Sequence, residues 1–309
     1  MGALVQVVLP VFLVIGFGYL AAHRGWIAAA GVDGLMVFSQ KFGIPCLLFA
    51  AISELDLGQS FDLRLLGSFY AGALAGFAAG LLGARFLFGR PWEDAVVIGF
   101  CGLFSNSVLL GLPISERAYG PDSLAPNFAI ISVHSPFCYL VGITAMEMAR
   151  SRGAGIGATV LRVLKSMASN ALIIGILLGF VVNLGNIPKP EVLNEAVDLM
   201  RLAALPTALF GLGGVLVRYR PDGDLMQTGM VIAISLILHP LVTLLLGSGL
   251  GVPQETLRNG VITAAMAPGV NTYIFADMYG KARRVAASAV LGATALCVLT
   301  AWLWLQLLG

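Results

Sequence analysis

The sequence predicts an all-α polytopic membrane protein of ten transmembrane helices in two inverted five-helix repeats, with broken, crossing helices 4 and 9. Three observations predict it. The chain is 58% hydrophobic and only 11% charged over 309 residues, with a mean hydropathy of +0.91, whereas a soluble domain carries roughly 25% charge. Apolar stretches of about 20 residues, the length that crosses a bilayer, recur along the whole chain. Two of them are interrupted at corresponding places, by Ser105-Asn106-Ser107 and by Met266-Ala267-Pro268-Gly269-Val270-Asn271, and each then closes on a Tyr-Gly pair. Interrupted segments at matching positions of two halves point to a binding site at the repeat interface.

In chain order the predicted spans are 4–22, 33–52, 63–87, 95–118, 126–148, 168–185, 197–217, 227–248, 257–279 and 284–308. The first has no basic residue ahead of it and runs straight into more apolar chain, so it reads as a retained helix rather than a signal peptide. The second carries Lys41 just before Ile44-Pro45, the fifth carries His134, and the eighth carries His239-Pro240. The connection from Arg150 to Lys165 is longer and basic, so residues 1–149 form the first repeat, 150–167 a cytoplasmic linker and 168–309 the second repeat. Connections after the odd spans hold Arg24, Arg85, Arg90, Arg150, Arg152, Arg162, Lys165, Arg218, Arg220, Lys281, Arg283 and Arg284. The other side holds Arg64, Arg117, Lys189, Arg201 and Arg258. The excess of Lys and Arg marks the cytoplasmic side, which places both termini outside a cell inner (plasma) membrane.

Internal matches carry the repeat. Leu13-Val14-Ile15-Gly16 matches Leu172-Ile173-Ile174-Gly175, Pro45-Cys46-Leu47-Leu48-Phe49 matches Pro206-Thr207-Ala208-Leu209-Phe210, and Tyr119-Gly120 matches Tyr279-Gly280. The spacing holds: Gly16 to Gly120 is 104 residues and Gly175 to Gly280 is 105, while Pro45 to Gly120 is 75 and Pro206 to Gly280 is 74. Five spans per half invert the second relative to the first.

In the fourth span Gly102 can end one half-helix, and Ser105, Asn106 or Ser107 can cap the next by accepting from its free N–H groups. In the ninth, Pro268-Gly269 after Ala267 breaks the ladder. Pro113 is a competing break, since proline suits the start of a helix. Register decides: Asn106 lies 14 residues before Gly120 and Pro268 lies 12 before Gly280, but Pro113 lies only 7 before. The break therefore falls at Ser105-Asn106 and Pro113 is a kink. Irregular backbone at membrane depth is tolerated only inside protein or against a water-filled cavity. Two crossing half-helix N-termini suit a carboxylate, so Ser105, Asn106, Ser107, Pro268, Gly269, Val270 and Asn271 are the candidate substrate contacts, with His134 beside them.

Ionisable residues at membrane depth are functional candidates. His239 either relays protons or is a structural histidine satisfied by a carbonyl that Pro240 frees; Lys41 either adds positive charge to the cavity or snorkels to an interface. Glu116, Glu147 and Asp277 lie near span ends and read as interfacial. The four cysteines and three histidines show no metal or redox spacing, so no metal or cofactor is expected. A net charge of +2 gives no reason to expect nucleic acid.

Taken together, Val8-Leu9-Pro10 with Gly16-Phe17-Gly18-Tyr19, Phe42 to Phe49, Asn106 with Gly111-Leu112-Pro113 and Tyr119-Gly120, and Phe275 to Gly280 resemble the auxin efflux carrier family, which includes the plant PIN-formed auxin carriers and bacterial carriers of malonate type. The resemblance implies a scaffold from spans 1, 2, 6 and 7, a mobile unit from spans 3, 4, 5, 8, 9 and 10 moving elevator-fashion, an organic anion held where spans 4 and 9 cross, and a homodimer through the scaffold. Asn106 matches the asparagine that follows the family's crossover proline, but Ser105 stands where that proline would be. His134 matches a polar position near the family's site.

A secondary carrier of organic anions, exporting auxin-like or malonate-like acids, is the resulting expectation, with a small organic anion and membrane lipid as its partners. A sodium-coupled symporter of bile-acid type is the alternative within transport. An intramembrane lipid-acting enzyme is the alternative of a different class, and it would need a concentrated acid, histidine or metal constellation; the candidates here are dispersed. Apolar neighbours Val108, Leu109 and Val270 admit an aliphatic or an aromatic acid equally.

Overall fold

A computed structural model describes residues 2, 4–150, 170–219 and 224–309, and those residues are helical apart from short connections and one isolated β-bridge. Apart from Arg150, the expected linker and its Arg152, Arg162 and Lys165 lie outside the described residues, as does Arg220. Among the described residues, seven helices are long and apolar enough to cross a membrane: α1 Leu4–His23, α2 Ala29–Ser53, α3 Leu63–Leu87, α6 Ala125–Ala149, α8 Glu191–Leu216, α9 Leu225–Gly249 and α12 Arg283–Leu308. α7, Ala171–Leu184, is a shorter apolar helix. Apart from the single turns Leu57–Ser60 and Pro121–Ser123, the other described helices come as two interrupted pairs: α4 Trp92–Leu103 with α5 at 107–119, and α10 Gln254–Ala264 with α11 Val270–Tyr279.

Helix starts follow local chemistry. Asp62 caps α3 by accepting from Arg64 N–H, Asn170 caps α7 by accepting from Leu172 N–H, and Asp224 caps α9 by accepting from Met226 and Gln227 N–H. Prolines shape the interiors. Single π-turns at Leu4–Val8, Ser39–Gly43, Ser107–Gly111 and Ile234–Leu238 each end two residues before a proline, namely Pro10, Pro45, Pro113 and Pro240. Proline lacks an N–H and its ring crowds the carbonyl four residues back. Widening the preceding turn relieves that clash while keeping most backbone bonds. Leu236, four residues before Pro240, shows the consequence: its carbonyl accepts from Trp304 Nε1 at 2.9 Å instead.

The chain divides into two compact units. The larger comprises Met1–Leu9, Phe61–Val163 and Tyr219–Gly309; the smaller comprises Pro10–Ser60 and Leu164–Arg218. Each unit thus draws helices from both halves of the sequence. In the larger unit α3 and α4 touch backbone to backbone: a Cβ on Gly102 would lie 2.6 Å from the Gly76 carbonyl oxygen, so small residues permit the contact. Behind them Phe100 stacks on Phe275 with centroids 4.0 Å apart, and Tyr70 donates its hydroxyl to the Ile130 carbonyl at 2.8 Å. The smaller unit packs α7 along α2, where Asn183 donates to the Ile52 and Leu55 carbonyls that end α2, and Lys189 pairs with Glu54. At the other end of that unit Arg218 pairs with Asp33 and donates to the Ala29 carbonyl. Large apolar side chains such as Phe86, Leu177, Val181 and Leu307 stand exposed. In water such surface would be a liability; against lipid it is the expected solvent face.

Candidate functional site

The chain leaves α4 after Leu103 and α10 after Ala264, and the two irregular stretches pair inside the larger unit. Ser105 and Pro268 form an antiparallel bridge. Asn106 N–H donates to the Ala267 carbonyl at 2.9 Å, and Gly269 N–H donates to the Phe104 carbonyl at 3.0 Å. Both bonds come from the residues flanking the bridged pair. Pro268 therefore occupies a position whose missing N–H the pair never needs. Without this pairing four buried backbone groups would be unsatisfied, each at a cost of about 1–3 kcal/mol.

Side chains close the same knot. Asn106 Oδ1 accepts from Leu109 N–H at 3.3 Å, so Asn106 is the N-cap of α5. Ser105 Oγ and Ser107 Oγ lie 3.0 Å apart, and Thr272 Oγ1 donates to the Gly269 carbonyl at 2.8 Å. His134 from α6 places Nε2 3.2 Å from the Ser105 carbonyl. A carbonyl can only accept, so this contact requires the tautomer with the proton on Nε2. The imidazole is held edge-on against Phe104, with centroids 4.7 Å apart, and against Phe69 at 5.6 Å.

Electrostatics follow from the break. The opening turns of α5 and α11 present N–H groups without intrahelical acceptors and the positive ends of two helix dipoles. Ser105, Asn106, Ser107, Pro268 and Gly269 are buried, while Val108, Val270 and Asn271, at the very start of those half-helices, are half-buried. Asn271 makes no side-chain hydrogen bond among the described residues.

The other candidates sit apart from this knot or support it. Pro113 is the second residue after the π-turn of α5, and the Ala267 carbonyl is a bridge acceptor. His239 is buried and its Nε2 contacts the Phe69 carbonyl at 3.2 Å, not the carbonyl that Pro240 frees, which Trp304 takes. Lys41 lies in the smaller unit, exposed on the π-turn of α2. At the Arg150 end of the larger unit, Glu93 pairs with Lys281 and with Arg150, whose guanidinium lies over the Tyr279 ring at 4.7 Å. Lys281 first, then Arg150, hold the Glu93 carboxyl below its ordinary range, against a smaller opposing push from burial. Arg258 lies over the Tyr119 ring at 4.3 Å, so the tyrosine of each Tyr-Gly pair carries a guanidinium.

A second polar group has no sequence motif. Asn127 on α6, 0% exposed, donates to Ser115 Oγ on α5 at 3.0 Å and to Thr263 Oγ1 on α10 at 2.7 Å. Thr263 in turn donates to the Asn259 carbonyl at 2.8 Å. Neutral polar residues inside apolar stretches are the only sequence signal for this cluster. Among the described residues, no group of three or more His, Cys, Asp or Glu side chains could hold a metal ion.

A family model described as "Membrane transport protein" matches residues 3–305. The chain belongs to that family. It is the auxin efflux carrier family that the motifs of the second, fourth and ninth predicted spans resemble. This membrane transport protein is also 25% identical over 306 residues to a protein of Rhizobium meliloti (strain 1021) described as "Putative malonate transporter"; the match covers 97% of the present chain and 94% of the relative.

Proposed function

We propose that the protein is a secondary carrier that moves small organic anions across the inner membrane, by alternating access of a site at the crossed breaks. The single observation that carries this reading is the Ser105–Pro268 bridge, which fixes the origins of α5 and α11 at one place. Ser107, Leu109 and Thr272 N–H already have acceptors, so the N–H groups of Val108, Val270 and Asn271, with the two positive dipole ends, are what one carboxylate can use. Asn106 and Asn271 supply further amide groups, and the half-buried Val108 and Val270 offer apolar contact to the rest of the acid. His134 fixes the Ser105 carbonyl from behind.

An elevator mechanism accounts for the two compact units, since α1, α2, α7 and α8 form one and α3 to α6 with α9 to α12 form the other. These are the groupings that the resemblance assigns to scaffold and mobile unit. In this reading the chain has ten crossings in two inverted repeats, with α4–α5 and α10–α11 as the broken ones, both termini outside and a homodimer formed through the smaller unit. The direction is export. The name of the Rhizobium relative favours a short carboxylate such as malonate, and the apolar rim admits auxin-like acids as well.

Counterflow of labelled malonate and labelled indole acetate in proteoliposomes, with sodium and pH varied separately, tests the reading. Saturable movement of either acid supports it; no carboxylate movement under any condition overturns it.

A further inference from the structure

Among the described residues the chain passes between the two compact units at Leu9–Pro10, Ser60–Phe61 and Arg218–Tyr219. The last two lie in connections between helices, but the first lies inside α1, which is helical from Leu4 to His23. One helix therefore belongs to two bodies. Of the π-turns that precede prolines, those before Pro45, Pro113 and Pro240 each sit within one unit, and the one before Pro10 ends at the boundary.

Both parts of α1 are held fast. In the larger unit the first turn, Leu4–Val8, packs against α5 and α12, with Val8 0% exposed. Pro10 has no N–H to give the carbonyl four residues back, which is that of Gln6. Arg117, near the end of α5, donates Nη2 to that carbonyl and Nε to the Val7 carbonyl at 3.2 Å. A guanidinium spread over two adjacent carbonyls is a charge-assisted clamp. In the smaller unit the rest of α1 lies backbone to backbone on α8: a Cβ on Gly18 would overlap the Phe210 carbonyl, and one on Gly213 the Ile15 carbonyl. Phe17 also meets Phe210 edge-on, with centroids 5.6 Å apart.

A helix anchored in this way can yield only between its anchors, and helices bend at prolines and π-turns. The bond missing at Pro10 and the widened turn before it lie there, so bending costs less at Leu9–Pro10 than elsewhere in α1. We propose that α1 is a jointed link: its first turn travels with the larger unit through Arg117, its remainder stays on α8, and the angle at Leu9–Pro10 changes as the larger unit moves. The joint rests on the elevator reading above. Arg117 is a positioning residue in it and not a substrate contact.

The test uses the full-length protein in nanodiscs, with its four cysteines replaced by alanine and spin labels on two cysteine pairs, Val5→Cys with Met148→Cys and Leu20→Cys with Met148→Cys. All three positions are exposed, and Met148 lies on α6 in the larger unit. Distance distributions from double electron–electron resonance are taken without acid and with saturating malonate. The expected result is one unchanged distribution for the Val5 pair, and for the Leu20 pair a broad or bimodal distribution that shifts with malonate. A Val5 pair that shifts in step with the Leu20 pair overturns the joint, because α1 then moves as one rod, and so does a single fixed distance for the Leu20 pair. Arg117→Ala should broaden the distribution of the Val5 pair; no change there overturns the clamp. Pro10→Ala returns an N–H to the Gln6 carbonyl and should slow malonate counterflow severalfold while equilibrium malonate binding changes little. An unchanged rate overturns the proposal. Counterflow by the wild-type protein keeps the two readings apart. Acid movement with a fixed Leu20 pair overturns the joint alone, whereas a mobile Leu20 pair beside a fixed Val5 pair, with no acid movement under any condition, supports the joint and overturns the carrier reading.

Discussion

Ser105 stands directly opposite Pro268 in a one-pair antiparallel bridge, and neither residue supplies the hydrogen bonds that hold it. The break in each helix is thus a bonded structure rather than a frayed end. Helix propensity alone would not keep α4 and α5 apart, since Val108, Leu109 and Leu110 are ordinary helix residues. Backbone pairing across the two breaks does so by giving Phe104, Asn106, Ala267 and Gly269 partners that a continuous helix would otherwise supply.

Asn106 caps α5 and in the proposed carrier also contacts the acid, and substitution should divide the two. Asn106→Ala removes the cap on Leu109 N–H and costs about 1 kcal/mol of stability. Asn106→Asp keeps a good cap but places a negative charge where a carboxylate would bind. The expected outcome is a lower melting temperature for the alanine variant alone, and weaker acid binding for both, with the aspartate variant weaker. Melting curves and counterflow affinities measured on the same preparations check it; equal affinity in the wild type and Asn106→Asp would count against a carboxylate at this position.

The positions of the breaks were legible because Ser-Asn-Ser and Pro-Gly conflict with continuous apolar helix, and the Tyr-Gly spacing chose between Asn106 and Pro113. The bridge was not, because which residue faces Pro268 depends on the register of two segments 163 residues apart. The division into two compact units was open only through the family resemblance, since periodicity within one helix says nothing about which helices pack together. Asn127 was missed for a different reason: a single asparagine in an apolar run has no signature until Ser115 and Thr263 are brought against it. The freed carbonyl beside His239 was foreseen, but its partner is Trp304, which comes from the far end of the chain.

Trp304 repairs the damage that Pro240 does, and a double-mutant cycle should reveal it. Trp304→Phe leaves the Leu236 carbonyl without a partner in a buried setting and should cost about 1–3 kcal/mol. Pro240→Ala restores a backbone N–H that can reach the same carbonyl. The double variant should therefore be destabilised by less than the sum of the two single changes. Melting temperatures of the four proteins decide it, and strict additivity would show that the indole bond carries no net stability.

Glu93 should make the protein acid-sensitive in a defined direction. Its folded value lies below the unfolded value near 4.5, chiefly through Lys281 and then Arg150. The contribution is therefore fully present above the unfolded value and is lost as pH falls through the folded one. With its side chain 26% exposed, the cluster contributes at most about 1 kcal/mol. Glu93→Gln should lower the melting temperature slightly at neutral pH and flatten its fall on acidification, as thermal scans from neutral to acidic pH will show.

His134 bears on the site through the Ser105 carbonyl, which gives it a signature that packing alone would not produce. His134→Phe preserves an aromatic ring against Phe69 and Phe104 but removes the Nε2 donor. His134→Gln removes the ring but can return an N–H to the same carbonyl. If the hydrogen bond positions the crossed backbone, the phenylalanine variant should raise KM for the acid by about fivefold, the equivalent of a ~1 kcal/mol bond. The glutamine variant should recover part of that affinity while melting at a lower temperature, because it gives up the aromatic contacts. Counterflow kinetics resolved into KM and maximal rate, set beside melting curves, separate the two roles. Unchanged KM in His134→Phe would assign the histidine to packing alone and leave the carboxylate to the helix N-termini and the two asparagines.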